Sequence, residues 1–170
     1  MKKLLPILLL SLFLASCGSS KRTTDSRIKK SRTSVSNSEK TANAQADRIV
    51  EHAKKFQGTK YKFGGTTKKG MDCSGLIYTA FLTEDIALPR ISRDMAKQGK
   101  RISLLKAQAG DLVFFQTNKS RKVINHVGLV VENVRGELKF IHSTTSRGVI
   151  ISSIQENYWN LAFVEARRII

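Results

Sequence analysis

Apolar side chains recur along this chain with two different periods. In residues 46–56, Ile49, Ala53 and Phe56 share one helical face, and Gly58 follows as a stop. From Cys73 onward Leu76, Ile77, Ala80 and Phe81 repeat every three or four positions, which predicts a second helix; Ser92 is placed to cap a short third one reaching Gly99. Residues 60–70 between them form a glycine- and lysine-rich loop holding Tyr61-Lys62-Phe63-Gly64-Gly65. After Gly110-Asp111 the pattern changes to short β-branched or aromatic runs at 112–115, 126–132, 138–143, 148–152 and 161–166, separated by Asn, Gly, Ser and Lys clusters. Helices first and antiparallel strands afterwards make an α+β order.

The N-terminus departs from both periods. Met1-Lys2-Lys3 precedes an apolar stretch from Leu4 to Phe13, broken only by Pro6 and Ser11, and then Leu14-Ala15-Ser16-Cys17. This predicts a secretory signal over residues 1–16, too short for a span that needs about 20 apolar residues. Leu-Ala-Ser-Cys also resembles the bacterial lipobox, so Cys17 is expected to carry lipid and anchor the protein to a membrane. Residues 17–45 then read as a flexible basic tether; between 18 and 44 only Ile28 and Val35 are large and apolar, and the net charge is +5. Residues 46–170 are the expected folded domain.

Composition narrows the function. The 170-residue chain carries a formal charge of +17 with two cysteines and two prolines. That excludes a disulfide-rich scaffold, a Cys₄ zinc site and a Pro-rich or collagen-like chain. An export signal removes nucleic acid as the natural partner of the charge. Residues 47–170 retain a net +10, which suits an anionic substrate or envelope.

Asp72-Cys73-Ser74-Gly75 stands where the glycine-rich loop meets a helical run. A thiol at a helix N-terminus meets the positive end of the dipole, and the small Ser74 and Gly75 would leave room for a substrate backbone. A base is also needed, and the chain offers His52, His126 and His142. His52 belongs to the first helix and reads as a surface or packing residue. His126 and His142 fall on successive strands. A turn centred at Val134 would make them cross-strand neighbours on one face; a half-residue shift of that centre would part them. The plainer alternatives are a buried apolar cysteine with structural histidines, or a Cys/His/His zinc site, for which none of the compact ligand spacings is present.

Tyr61-Lys62-Phe63-Gly64-Gly65, Asp72-Cys73-Ser74-Gly75-Leu76, Leu88-Pro89-Arg90, Gly110-Asp111-Leu112-Val113-Phe114-Phe115, Asn125-His126-Val127-Gly128 and Phe140-Ile141-His142 occur in the order seen in the NlpC-type cell-wall cysteine peptidases. Tyr158-Trp159 and Ala166-Arg167-Arg168 also resemble that family's end. A short lipoprotein with one such domain is similar to the Spr-like subgroup. The resemblance implies a papain-like α+β fold, with helices carrying the nucleophile packed on an antiparallel sheet. Cys73 would be the nucleophile, His126 the base and His142 the third residue, a position where the family also accepts Asn or Gln; Tyr61 would lie beside the thiol. No metal or organic cofactor is implied. The expected partner is the peptidoglycan stem peptide, cut at the D-Glu–diamino acid bond typical of the family or at the D-Ala crosslink associated with the subgroup.

The oxyanion is expected on the Cys73 N–H and the Tyr61 hydroxyl. Asp72, Ser74 and Arg90 are expected to help bind substrate, unless Asp72 only caps the helix. Gly18-Ser19 after Cys17 lacks an inner-membrane retention aspartate, which favours the periplasmic face of the outer membrane. The rivals are an amidase or acyltransferase on another envelope amide, and a catalytically inactive wall-binding lipoprotein.

Overall fold

A computed structural model describes residues 25–118 and 123–170, with side chains from Asn37 onward. The signal, Cys17 and the first part of the tether lie outside the described residues. The chain divides at Val35/Ser36, and the fold below is that of Ser36–Ile170.

The elements in chain order are helix α1 (Asp25–Lys54), the two-residue strands β1 (Thr66–Thr67) and β2 (Gly70–Met71), α2 (Cys73–Leu82), α3 (Ser92–Met95), β3 (Lys100–Ile102), a 3₁₀ turn (Leu104–Lys106), β4 (Leu112–Phe115), β5 (His126–Val134), β6 (Glu137–Thr144), β7 (Gly148–Ser153), α4 (Asn157–Ala162) and β8 (Phe163–Arg168). The α+β order is borne out. The helix expected from residue 46 begins at Asp25, because no proline or glycine interrupts residues 25–57. Ser92 is the first residue of α3 rather than its cap, and Ile91 precedes it without a side-chain cap bond. The apolar run at 161–166 divides between the end of α4 and β8. The sequence reading passed over β3, which has only three residues.

The main sheet has six antiparallel strands in the order β3-β8-β4-β5-β6-β7. All four residues of β4 are buried, because both faces of the sheet are covered. On one face Leu112, Phe114, Val127, Leu129 and Ile141 meet Ile49 and Ala53 of α1 and Leu76, Ile77 and Phe81 of α2. On the other, Val113, Phe115, Val130, Leu138 and Phe140 pack with Ile154, Trp159 and Ala166. Period-2 alternation sorts each strand's side chains between these two cores.

The β5–β6 hairpin departs from the sequence reading in an informative way. Its turn is the two-residue Arg135-Gly136, with φ of 53° and 87°, between the paired Val134 and Glu137. That centre lies further along than Val134, by an odd step in register. Continued unbroken, it would send His126 and His142 to opposite faces. A bulge at Val131 intervenes: Val130 pairs Phe140, whereas Glu132 pairs Lys139. Beyond it the register places Gly128 opposite His142, so the histidines are diagonal neighbours on one face. The bulge thus restores the shared face that the turn alone would lose.

Candidate active site

Cys73 opens α2, and the preceding residue fixes how it does so. Asp72 has extended backbone, and its Oδ1 accepts the Gly75 N–H at 2.7 Å, an N-cap. The same oxygen accepts the Ser74 hydroxyl at 3.3 Å and faces the Arg90 guanidinium at 2.8 Å. Oδ2 accepts the Gly64 N–H at 2.7 Å. Arg90 also donates to Ser74 Oγ at 2.7 Å and to the Gly65 carbonyl at 3.2 Å. The buried carboxylate is therefore committed to the protein's own donors, which makes the capping role plain.

The small residues are used internally too. A Cβ on Gly75 would lie 2.1 Å from the Gly65 carbonyl oxygen and 2.8 Å from Arg90. The space expected to admit a substrate backbone at Gly75 is occupied by the Gly64–Gly65 loop. Tyr61 is held near Cys73 by an isolated bridge to Met71, two residues before it.

The histidines approach from the other side of the sheet. Cys73 packs with the helix-facing core, while His126, at the start of β5, turns its ring toward Trp159 and the opposite core. His126 Nε2 lies 2.9 Å from His142 Nδ1. Trp159 stacks on His126, with centroids 5.2 Å apart and an interplanar angle of 24°, and meets His142 edge-on at 4.6 Å. Phe140 closes on His142 at 4.7 Å. The absence of a side chain at Gly128 admits that ring, since a Cβ there would lie 2.4 Å from it. His142 is fully buried, and its Nε2 has no hydrogen-bond partner among the described residues.

The two sides meet in one cavity of about 400 Å³, lined by Tyr61, Cys73, Asn125, His126 and Trp159 among others. A second cavity, of about 610 Å³, shares Tyr61, Cys73 and Asn125 and runs along Asp72, Ser74 and Arg90. Buried Ser143 donates to the Met71 carbonyl at 2.7 Å, tying β6 directly to the strand that leads into Cys73.

Burial acts in one direction on the whole set. It pushes the Cys73 thiol up, helped by the Asp72 charge and opposed by the backbone N–H groups of Val127, Ser74 and Cys73 itself. Burial alone holds His126 down at about 4. His142 is driven down to about 2, by burial first and then by His126 and Arg147. The resting set is a thiol beside two neutral imidazoles.

The structure thus brings Cys73, His126, His142 and Tyr61 together and places Asp72, Ser74 and Arg90 along the adjoining cavity. His52 lies on α1, against Phe56 at 5.4 Å. The sequence reading missed the positions of Trp159, Ser143 and Gly128 around the pair. Trp159 is the chain's lone tryptophan, a usable signal; the other two carry none without the register.

A partly buried thiol at a helix start shares a cavity with one member of a hydrogen-bonded histidine pair on an antiparallel sheet, an arrangement chemically able to supply a nucleophile and a base. The NlpC/P60 family model matches residues 58–168, and the chain belongs to that family. It is 38% identical over 124 residues to the murein DD-endopeptidase MepS/murein LD-carboxypeptidase of Escherichia coli K12, covering 72% of this chain and 62% of that protein. It is 37% identical over 122 residues to the probable endopeptidase NlpC of the same organism, covering 71% and 76%. The crystal structure of a lipoprotein-like NLP/P60 protein from Staphylococcus aureus superposes with a TM-score of 0.65 at 32% identity, over 75% of this chain and 42% of that one. The match therefore spans about three fifths of the length of the MepS relative.

Proposed function

We propose that this protein is a peptidoglycan endopeptidase that hydrolyses stem-peptide or crosslink amides through Cys73, His126 and His142. The observation that carries the reading is the 2.9 Å contact from His126 Nε2 to His142 Nδ1, on a ring that shares a cavity with Cys73. With Nε2–H donated to His142, Nδ1 of neutral His126 is left as the base. It takes the thiol proton as Sγ attacks the carbonyl carbon. The oxyanion that forms is met by the Cys73 N–H and the Tyr61 hydroxyl. His126 then gives the proton to the departing nitrogen, the C–N bond breaks, and a thioester remains. Water, deprotonated by His126, releases the carboxylic acid and restores the thiol. Asp72 shapes the cavity wall as the helix cap, and Ser74 and Arg90 flank the acyl half of the substrate. No metal or organic cofactor enters these steps.

The names of the relatives support a murein substrate, and the net positive charge of the domain suits its carboxylates. The test is digestion of purified wall and isolated muropeptides, with products identified by mass spectrometry. New amine and carboxyl ends at a stem peptide, absent with Cys73→Ala, support hydrolysis. Transfer of the acyl group to an added amine would favour the acyltransferase alternative, and intact muropeptides with retained wall binding would favour the inactive wall-binding one. A zinc hydrolase would instead be marked by loss of activity with a chelator; the 2.9 Å contact between the two ring nitrogens is that of a hydrogen bond. Lipidation of Cys17 and attachment to the periplasmic face of the outer membrane belong to the same proposal. Fatty-acid labelling and membrane fractionation of the full chain against Cys17→Ala test both.

A further inference from the structure

Several of the apolar side chains left outside both cores fall together. Leu105, in the middle of the 3₁₀ turn, is 87% exposed, and Leu161 and Val164 are exposed as well. A depression of about 430 Å³ joins the turn to β8, with Ile102 and Leu104 lining it beside Phe163 and Val164. A second, of about 420 Å³, continues from Phe163 and Val164 to Leu161. The result is one apolar strip at the β3–β8 side of the sheet, with Leu105 protruding at its end.

The rim of this strip is cationic. Lys100, Arg101 and Lys106 are exposed, and among the described residues Lys100 and Lys106 enter no ion pair. Among the described residues Glu165 is the one acid lining either depression, and it is held by Arg101 at 3.4 Å and Arg167 at 2.7 Å. Exposed apolar groups amid unneutralised positive charge match a surface that is anionic outside and apolar beneath. A second copy would instead bring like charges together across a two-fold contact.

The route of the chain favours lipid over an acidic protein. Gln108 Nε2 donates to Asn43 Oδ1 at 3.4 Å, so α1 passes beside the end of the 104–108 segment. Ala46 is the first buried residue among those described, and the segment leading toward Cys17 therefore leaves the fold at this corner. Lipid held through Cys17 is concentrated where the chain emerges.

We infer that this corner seats the domain on an anionic phospholipid surface, with Leu105 entering among the headgroups and Lys100, Arg101 and Lys106 on their phosphates. The inference rests on the reading of Cys17 as a membrane anchor. Neither Leu105 nor the three cations line the cavities beside Cys73, so the seat and the site use different residues.

The test reads lipid contact position by position in the full chain. Leu105→Trp is compared with Gln57→Trp, an exposed position at the opposite edge of the sheet, where the adjacent Gly58 N–H donates to the Val149 carbonyl of β7. Each is incubated with vesicles of phosphatidylglycerol and phosphatidylethanolamine containing brominated lipid, and the signal of the parent, whose Trp159 is buried, is subtracted. Leu105→Trp should be quenched and Gln57→Trp should not. Adding Lys100→Gln and Lys106→Gln should lower the docked-to-free ratio about fivefold for each charge, and high salt or phosphatidylcholine vesicles should act the same way. Hydrolysis of soluble muropeptides by these variants should stay at the wild-type rate. Equal quenching at both positions, none at 105, or quenching indifferent to the charges overturns the seat. A dimer seen by light scattering and broken by Leu105→Asp would give the corner to a second copy and overturn it likewise. Because the readout is local, an unlipidated Cys17 with Leu105→Trp still quenched would remove the anchor reading and leave the seat standing.

Discussion

Cys73 and the histidine pair, the proposed nucleophile and base, are held by opposite means. Around Cys73 the supports are polar: the Asp72 carboxylate gathers Gly64, Ser74, Gly75 and Arg90 into one network. Around His126 and His142 they are aromatic: Trp159 and Phe140 pack the rings, and one buried nitrogen has no hydrogen-bond partner among the described residues. A charged network fixes position through directed bonds but keeps charge beside the thiol. An aromatic surround fixes orientation by shape and withholds solvation, which is what keeps both imidazoles neutral. Under the proposed mechanism each group thus lies in surroundings that suit its task. Ser143 links the two regions through the Met71 carbonyl.

Removing the reacting atoms should have the largest effect. Cys73→Ala and His126→Ala should each lower kcat/KM at least about 10³-fold, and the double variant should be little worse than either, since the pair acts as one unit. His52→Ala should change activity little. An additive double variant would show that His126 is not the partner of Cys73.

The aromatic side comes next. Trp159→Leu should destabilise the domain by about 3 kcal/mol, because the buried indole touches both histidines, Phe115 and Phe140. Its acid limb of kcat/KM should also move up toward the ordinary imidazole range as solvent reaches His126. Trp159→Phe should recover part of both. A stability loss with an unmoved pH profile would reduce Trp159 to a packing residue.

On the polar side, Asp72→Asn keeps a capping oxygen but removes the charge facing Arg90. It should lower stability by about 1–2 kcal/mol, read as a drop in Tm of several degrees, with KM changed little. A raised KM at unchanged Tm would reassign Asp72 to substrate binding.

The pH dependence of stability should be the mildest signature. His126 and His142 take up protons in the unfolded chain near pH 6.5 but resist them when folded, so stability falls as pH drops from about 6.5 toward 4. The raised Cys73 pKa acts at the other end. Its unfolded thiol ionises near 9 and the folded one later, so stability is lost again above that pH. Thermal melts across pH should show a plateau between these limits, with a shallower acid limb in His142→Gln.

How far the site was legible follows the same division. Asp72, Cys73, Ser74 and the glycines before them are local in sequence, and their cap and loop chemistry can be read residue by residue. The histidine pair was legible only as an allowed geometry. Its outcome rested on a turn at Arg135-Gly136 and a compensating bulge at Val131, and no local pattern announces an extra residue in an apolar strand. Trp159 reaches the pair from α4, a helix of six residues whose apolar positions do not form a readable stripe. Gly75 misled for the same reason: its emptiness is filled by Gly65, ten positions away and close only in the fold.

The claim that unites these points is that His142 orients His126 by accepting a hydrogen bond from its Nε2–H. The most direct measurement is kcat/KM of His142→Gln beside His142→Ala on a stem-peptide substrate. An amide oxygen can accept the Nε2–H, so the Gln variant should stay within about 100-fold of wild type while the Ala variant falls toward Cys73→Ala. A Gln variant as inactive as the Ala variant, with both folded, would contradict the orienting role and make His142 a proton-transfer group in its own right.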